Sequence, residues 1–368
     1  MIPKIVLGLF IISTITQLFY WLYGFLRLAL YQKDLHEKPQ HSVTTIISAR
    51  NEVQNLQNKL HRILNQNYHS HHVIIVNDNS TDTTEQFLLN YPEKHKTFTL
   101  VNAIESPDSK PGKKQALTLG IEKATTEVLL MTDADCVPIS DKWVEKMQEK
   151  INAKTDIVLG FSPYSYSPGY LNKLIRFDTL MIAIQYFSMA LIGRPYMGVG
   201  RNMAYKKSLF VKNKGFENHL EIASGDDDLF VQEVATKENT AICLDKESFI
   251  ETEPKRTWKD FLIQKSRHVT TGKKYKLSHQ LILAMFLISL VVQLVGGIGL
   301  MAQLYCTKFV LTCMIIRLLM AWTVFALIAK RLNSGDLIKW FPILESSYLI
   351  LNIILTPTLL TFKPTKWK

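Results

Sequence analysis

From Ile5 to Leu26 the chain runs for 22 residues without a charge, and Leu281 to Leu304 does the same over 24. A 22-residue helix is about 33 Å long, enough to cross the hydrocarbon core of a bilayer. A cleaved signal peptide has a shorter apolar run closed by small residues, so the first segment reads as a retained helix. Two further candidates follow. Phe309 to Ala329 carries one charge, Arg317, which is costly at mid-membrane and is expected to pair with Glu345 or with an acceptor phosphate. Trp340 to Phe362 carries Glu345 and Pro357, and reads as a spanning helix or a bent interfacial segment. Apolar ends around a polar middle leave one class open: a membrane protein with a water-facing domain between its first and second helices.

Basic flanks set the expected orientation. Arg27, Lys33 and Lys38 follow the first helix, Arg267, Lys273, Lys274 and Lys276 precede the second, and Lys330, Arg331 and Lys339 follow the third, against Lys4 and Lys308 on the other side. The middle region should therefore face the cytoplasm. The tail lysines Lys363, Lys366 and Lys368 run against this if the last segment spans. A fifth apolar run, Thr179 to Gly193, is short for a span and reads either as an interface helix or as a buried core helix.

With 43 Lys+Arg against 32 Asp+Glu the net charge is +11. A Gly/aromatic RNA-binding signature and a basic recognition helix are both missing from the sequence, so nucleic acid is not the expected partner. An anionic lipid surface and a phosphate-bearing substrate account better for the excess. Cys136, Cys243, Cys306 and Cys313 are scattered without metal-ligand spacing, which fits a reducing compartment.

Between His41 and Val137 β-branched runs alternate with polar-periodic ones. Strands are expected at Val43 to Ser48, Val73 to Val76, Thr97 to Ala103 and Glu127 to Asp135, and helices at Glu52 to Asn65, Thr83 to Asn90 and Lys114 to Ala124. Such alternation predicts a mostly parallel sheet with covering helices, whose ligands sit beyond the carboxyl ends of the strands. Polar clusters fall there: Ala49-Arg50-Asn51-Glu52, Asn77 through Asp82, and Asp133-Ala134-Asp135. Ser80 and Asp82 also suit a helix cap, and Asp133 and Asp135 a turn. Taken together, converging carboxylates repel and call for a cation. Residues i and i+2 on a strand end point the same way, so Asp133 and Asp135 can share one hard divalent ion, Mg2+ or Mn2+. The loop Lys110 to Lys114 opens a helix and offers charge to phosphate. Further on, Asp226, Asp227 and Asp228 read as a solvated helix start or as a general base, and Gln264 and Arg267, three apart on one helix face, can meet a diphosphate.

The set resembles the membrane-bound family 2 glycosyltransferases, inverting enzymes that include cellulose, chitin and hyaluronan synthases and bacterial lipid and polysaccharide glycosyltransferases. The likeness runs from about Val43 to His268. It implies an α/β, Rossmann-like glycosyltransferase-A domain with a mostly parallel sheet, flanked by one N-terminal and two to three C-terminal transmembrane helices. The expected domains are 1–30 (N-terminal helix), 31–278 (cytoplasmic glycosyltransferase domain, with an interface helix at 170–193) and 279–368 (C-terminal helices and basic tail). By the same resemblance, Ala49 and Glu52 lie near the nucleotide base and Asp78 by the uracil or ribose. Asp133 lies by the ribose and diphosphate, Asp135 binds the metal, and Lys113, Lys114, Gln264, Arg267 and His268 belong to the nucleotide-sugar site. Asp227 is the expected base, with Asp226 and Asp228 as its near neighbours. Gly198 to Tyr205 is similar to the family's acceptor-side stretch. Where processive synthases carry Gln-x-x-Arg-Trp, this chain has His268 for the Trp, which argues against polymer translocation. The implied reaction is hexosyl or N-acetylhexosaminyl transfer from a nucleotide-diphosphate sugar, a UDP-sugar by expectation, to a lipid-linked or saccharide acceptor at a bacterial inner membrane. A processive synthase is the alternative, and a nucleotide-binding scaffold without catalysis is a third.

Overall fold

The computed structural model describes residues 2–32, 41–92, 98–103, 112–222 and 224–357. Lys33, Lys38, Lys110, Lys363, Lys366 and Lys368, and the end of the last apolar segment, lie outside the described residues. The elements in chain order begin with α1 (Ile2–Ala29), which contains a π-helical turn at Tyr20–Phe25. Next come β1 (Val43–Ala49), α2 (Val53–Leu64), β2 (His71–Asn77), α3 (Thr84–Leu89), β3 (Thr99–Asn102), α4 (Lys113–Lys123) and β4 (Val128–Asp133). The middle of the chain supplies β5 (Cys136–Pro138), α5 (Trp143–Gln148), β6 (Ile157–Leu159), α6 (Tyr170–Leu191), β7 (Met203–Lys206) and α7 (Lys207–Lys212). It closes with α8 (Asp228–Val234), β8 (Thr240–Ile242), β9 (Ile250–Thr252), α9 (Trp258–Thr271), α10 (Leu277–Ala302), α11 (Thr307–Arg331) and α12 (Phe341–Leu355).

Seven strands form one sheet in the order β3-β2-β1-β4-β7-β6-β8. The β3-β2-β1-β4 half is parallel throughout, β7 runs antiparallel to both neighbours, and β6 pairs β8 in parallel. Successive strand residues point to opposite faces. Ile46, Ile74, Val76, Leu129 and Met131 accordingly face a core shared with α4 and α6, while Ile47, Ile75, Val128 and Leu130 face Leu56 and Leu60 of α2 and Trp143 of α5. Both faces are covered, which is why these strands are apolar runs rather than alternating ones. Gly120 lets α4 lie close to the sheet: a Cβ there would sit 2.8 Å from Ile46 Cγ2. That approach fixes where the first turn of α4 points.

Among the described residues five helices are long and apolar enough to cross a membrane by length and composition: α1, α6, α10, α11 and the segment Gly335–Leu355 that contains α12. They are not alike. The most apolar window of α6 is 67% buried, against 28% for α1, α10 and α11. Tyr186 of α6 donates to the carbonyl of Gly160 beside β6 at 2.7 Å, and Phe177 packs against Phe325, Phe341 and Tyr348 of the C-terminal helices. α6 is thus sandwiched between the sheet and the helix bundle. Inside the bundle Arg317 Nη1 meets Glu345 Oε2 at 2.5 Å and Nη2 donates to Gln17 Oε1 at 2.5 Å. Of the two partners expected for Arg317, the structure provides Glu345. All four cysteines are free.

Candidate active site

Strand register brings the first motifs to one edge. Ala49 of β1 lies opposite Asn77 of β2, Ser48 opposite Asp133 of β4, and Asp78 N–H donates to the Ala49 carbonyl at 2.8 Å. The loops after β1 and β2 are stitched together. Asn51, in the left-handed region at φ 56°, accepts from Thr81 N–H at 2.8 Å, and its own N–H donates to Ser80 Oγ at 3.0 Å. Asp82 Oδ1 accepts from Thr84 N–H at 2.9 Å, so Ser80 and Asp82 serve loop geometry. Buried Glu52 accepts from Asn55 Nδ2 at 2.6 Å. Asp78 is 1% exposed and its Oδ2 has no hydrogen-bond partner among the described residues. Burial, opposed by Arg50, pushes its carboxyl above the usual range. An orphaned acceptor at that depth can take a donor from a ligand's base or ribose.

At the end of β4 one ligand atom from each of Asp133, Asp135 and Cys136 lies within 4.8 Å of the others. The Cys136 thiol donates to Asp135 Oδ1 at 3.3 Å, and burial together with Asp135 and Asp133 holds its pKa far up. It remains a thiol, leaving two carboxylates as hard oxygen donors, a set that fits Mg2+ or Mn2+. Lys113, in the first turn of α4, bridges this pair to the next motif: its Nζ is 3.0 Å from Asp133 Oδ1 and 2.8 Å from Asp226 Oδ2. Burial works against the ammonium charge, but Asp133, Asp226 and Asp227 outweigh it and keep Lys113 protonated. A small cavity opens between Lys113, Asp133, Gly200 and Asp226.

The Gly225-Asp226-Asp227-Asp228 turn depends on its glycine. Gly225 has φ 91°, and a Cβ there would come 2.5 Å from Leu229 Cδ1. The three aspartates that follow divide. Asp226 holds Lys113. Asp228 Oδ2 accepts from Thr271 Oγ1 and Tyr275 OH, both at 2.7 Å, and Oδ1 accepts from Leu229 N–H, so this buried side chain is spent on anchoring. Asp227 Oδ2 accepts from Gly200 N–H at 2.7 Å. Burial, then Asp226 and Asp228, raise the Asp227 carboxyl to about 7 against the opposing pull of Lys113 and that N–H. A carboxylate with this proton affinity can accept a proton from an alcohol in a transition state.

The two lysines of α4 also divide. Lys114 is buried, and its Nζ donates to the carbonyls of His219 at 2.5 Å and Ile222 at 3.0 Å, bracing the segment that leads into Gly225. Sequence spacing gave no sign of this: adjacent helix residues point about 100° apart, but which segment each one meets is set by how the helix docks. On α9, Gln264 Nε2 donates to Tyr164 OH at 3.2 Å, Arg267 is half-buried and His268 is exposed. Lys265, between them, forms a buried pair with Asp178 of α6 at 2.8 Å. Sequence reasoning missed Tyr164, Asp178, Gly200, Arg201 and Lys265. Arg201 places its guanidinium 4.8 Å above the Tyr164 ring. The stretch Gly198 to Tyr205 was singled out, but nothing in it distinguished Arg201 from a surface basic residue.

The family model described as "Glycosyl transferase family 2" matches residues 44–212, and that described as "Glycosyl transferase family group 2" matches residues 133–353. A Staphylococcus epidermidis poly-beta-1,6-N-acetyl-D-glucosamine synthase is 26% identical over 165 residues, 42% of this chain and 39% of the relative. Glycosyltransferase AglE of Haloferax volcanii is 27% identical over 193 residues, 50% of this chain and 58% of the relative. The chain thus spans well under two thirds of the length of these relatives. Among solved structures, the mannosyltransferase PcManGT of Pyrobaculum calidifontis, in complex with GDP-Man and Mn2+, superposes with a TM-score of 0.60 at 18% identity, covering 91% of this chain and 99% of that one. At that identity the likeness is one of fold.

Proposed function

This chain belongs to glycosyl transferase family 2 and is a glycosyltransferase, and we propose that it transfers one sugar, with inversion, from a nucleotide-diphosphate sugar to a membrane-proximal acceptor hydroxyl. The observation that carries this reading is Asp227: buried, fixed by Gly200 N–H, raised to about 7, and joined through Asp226 and Lys113 to the Asp133–Asp135 pair. In the proposed step Asp227 takes the acceptor's proton as its oxygen bonds the anomeric carbon from one side. The bond from that carbon to the diphosphate oxygen breaks on the other side, and the electron pair leaves with the diphosphate. One displacement inverts the configuration, so an α-linked donor gives a β-linked product. Asp78 and Glu52 hold the base and ribose, and Gln264 and Arg267 meet the diphosphate. Asp133 and Asp135 would hold a Mg2+ or Mn2+ ion, whose charge offsets that growing on the leaving group. The basic flanks support a cytoplasmic position for this domain, on the side where nucleotide sugars are made. The donor base in this reading is uridine, and the acceptor is lipid-linked or a saccharide.

A processive synthase is the second reading, favoured by the likeness to a poly-beta-1,6-N-acetyl-D-glucosamine synthase. Incubating the purified protein with radiolabelled nucleotide sugars and lipid-linked acceptors, with and without EDTA, separates the two. A product heavier by one sugar, lost on chelation, is the expected outcome. A ladder of long chains would replace single transfer by polymerisation, and unchanged turnover in EDTA would remove the metal role.

A further inference from the structure

Arg201 has no assigned task in the scheme above, yet few side chains are so firmly aimed. On one side of it, Gly200 N–H is bonded to Asp227 Oδ2 at 2.7 Å. On the other, Asn202 is fully buried: its Oδ1 accepts from Trp143 Nε1 at 2.9 Å, and its Nδ2 donates to the carbonyls of Phe161 and Ser248, both at 2.8 Å. The backbone at 201 is therefore pinned from both ends. The guanidinium lies over the Tyr164 ring, whose hydroxyl accepts from Gln264, and its charge is felt by Asp135 and Asp133.

Among the described residues no hydrogen bond or ion pair engages that guanidinium. The tyrosine face attracts the cation but supplies no hydrogen-bond acceptor. It leaves the in-plane N–H donors of this half-buried side chain without a protein acceptor and open to a ligand. A planar fork of N–H groups matches phosphate oxygens two at a time. The ligand chemistry is thus anionic and oxygen-rich. Its place, between the acid pair and Gln264 and one residue from the group that touches Asp227, is where the leaving group of the proposed displacement has to lie. We propose that Arg201 binds the terminal phosphate of the nucleoside diphosphate, as a second guanidinium for the leaving group beside Arg267. This rests on the glycosyl-transfer reading above.

The test is nucleotide affinity rather than turnover alone. Binding of UDP, UMP, GDP and GMP to the full chain in detergent with Mn2+ is measured by titration calorimetry for the wild type, Arg201→Gln and Arg201→Lys. Hydrogen bonds to a charged group are worth about 1.5–3 kcal/mol, so Arg201→Gln should weaken the diphosphate roughly 10- to 100-fold. The monophosphate of the same base should change by less than about twofold, since the first phosphate and nucleoside are held elsewhere. Arg201→Lys should recover part of the loss, and it carries the test if the glutamine variant does not fold. Equal loss for both nucleotides, no loss for either, or a loss confined to the acceptor KM would overturn the assignment. A wild type that binds no nucleoside diphosphate would instead remove the glycosyl-transfer reading together with it.

Discussion

Buried charge occurs in two regions of this molecule and is handled in opposite ways. In the helix bundle Arg317, Glu345 and Gln17 come from three helices and close on one another, with one positive and one negative charge; Gln17 Nε2 goes on to the Phe286 carbonyl and Ser289 Oγ, both at 2.8 Å. In the cleft Asp133, Asp135, Asp226, Asp227 and Asp228 outnumber Lys113, Lys114 and Arg201, and Lys113 is shared between Asp133 and Asp226. A neutral set offsets its own charge inside the protein and holds no net charge for a ligand, although Arg317 Nε and Glu345 Oε1 stay without partners among the described residues. An unbalanced set is strained until something charged arrives, and that imbalance is what separates a binding site from a structural pair.

The largest effect that could break this contrast is at Asp227. Asp227→Asn should lower kcat by roughly 10²- to 10⁴-fold with nucleotide affinity kept within about twofold. Titration of the nucleotide into the variant checks the second half, and a variant with wild-type kcat would leave the cleft without its base. Next, Arg317→Leu strands the Glu345 carboxylate and should cost about 3–5 kcal/mol of stability. Thermal unfolding in detergent reads this, while protein that remains folded keeps its transfer rate. A selective loss of transfer in folded protein would mean that the bundle pair is a site after all.

The pH profile comes third. The proposed step needs Asp227 ionised, so kcat/KM should climb about tenfold per unit below pH 7 and level off above it. Stability runs the other way. A carboxyl whose folded pKa lies above its unfolded one contributes stability that is full below the ordinary carboxylate range and is lost as pH rises through about 7. Asp227→Asn should therefore melt higher than wild type at pH 8 and show little difference at pH 4. The smallest effect is expected from replacing both members of the bundle pair, Arg317→Met with Glu345→Leu, which should restore most of what Arg317→Leu loses.

Much of the fold was legible because its period was long enough to read. The first four strands and three helices were placed within a few residues, since apolar runs of four to seven residues bounded by polar turns leave few alternatives. β5, β6, β8 and β9 are three residues each, too short to carry a period, and the sequence offered no reading of them. At the site, the aspartate motifs announced themselves by chemistry and by position after strands. What each side chain does was less accessible. Lys114 turning to the carbonyls of His219 and Ile222, or Asp228 turning to Thr271 and Tyr275, depends on which distant segment docks alongside. α6 shows the same limit: its 22 residues read as interfacial or as core, and burial between sheet and bundle is a property of its neighbours.

Asp228 has one more consequence. It grips Thr271 and Tyr275, and Tyr275 stands two residues ahead of α10. The neighbouring carboxylate is Asp227, so the proposed proton acceptor is tied through one residue to the start of an apolar helix. Thinner or thicker lipid, by tipping that helix, would retune the reaction at its far end without touching a single substrate contact.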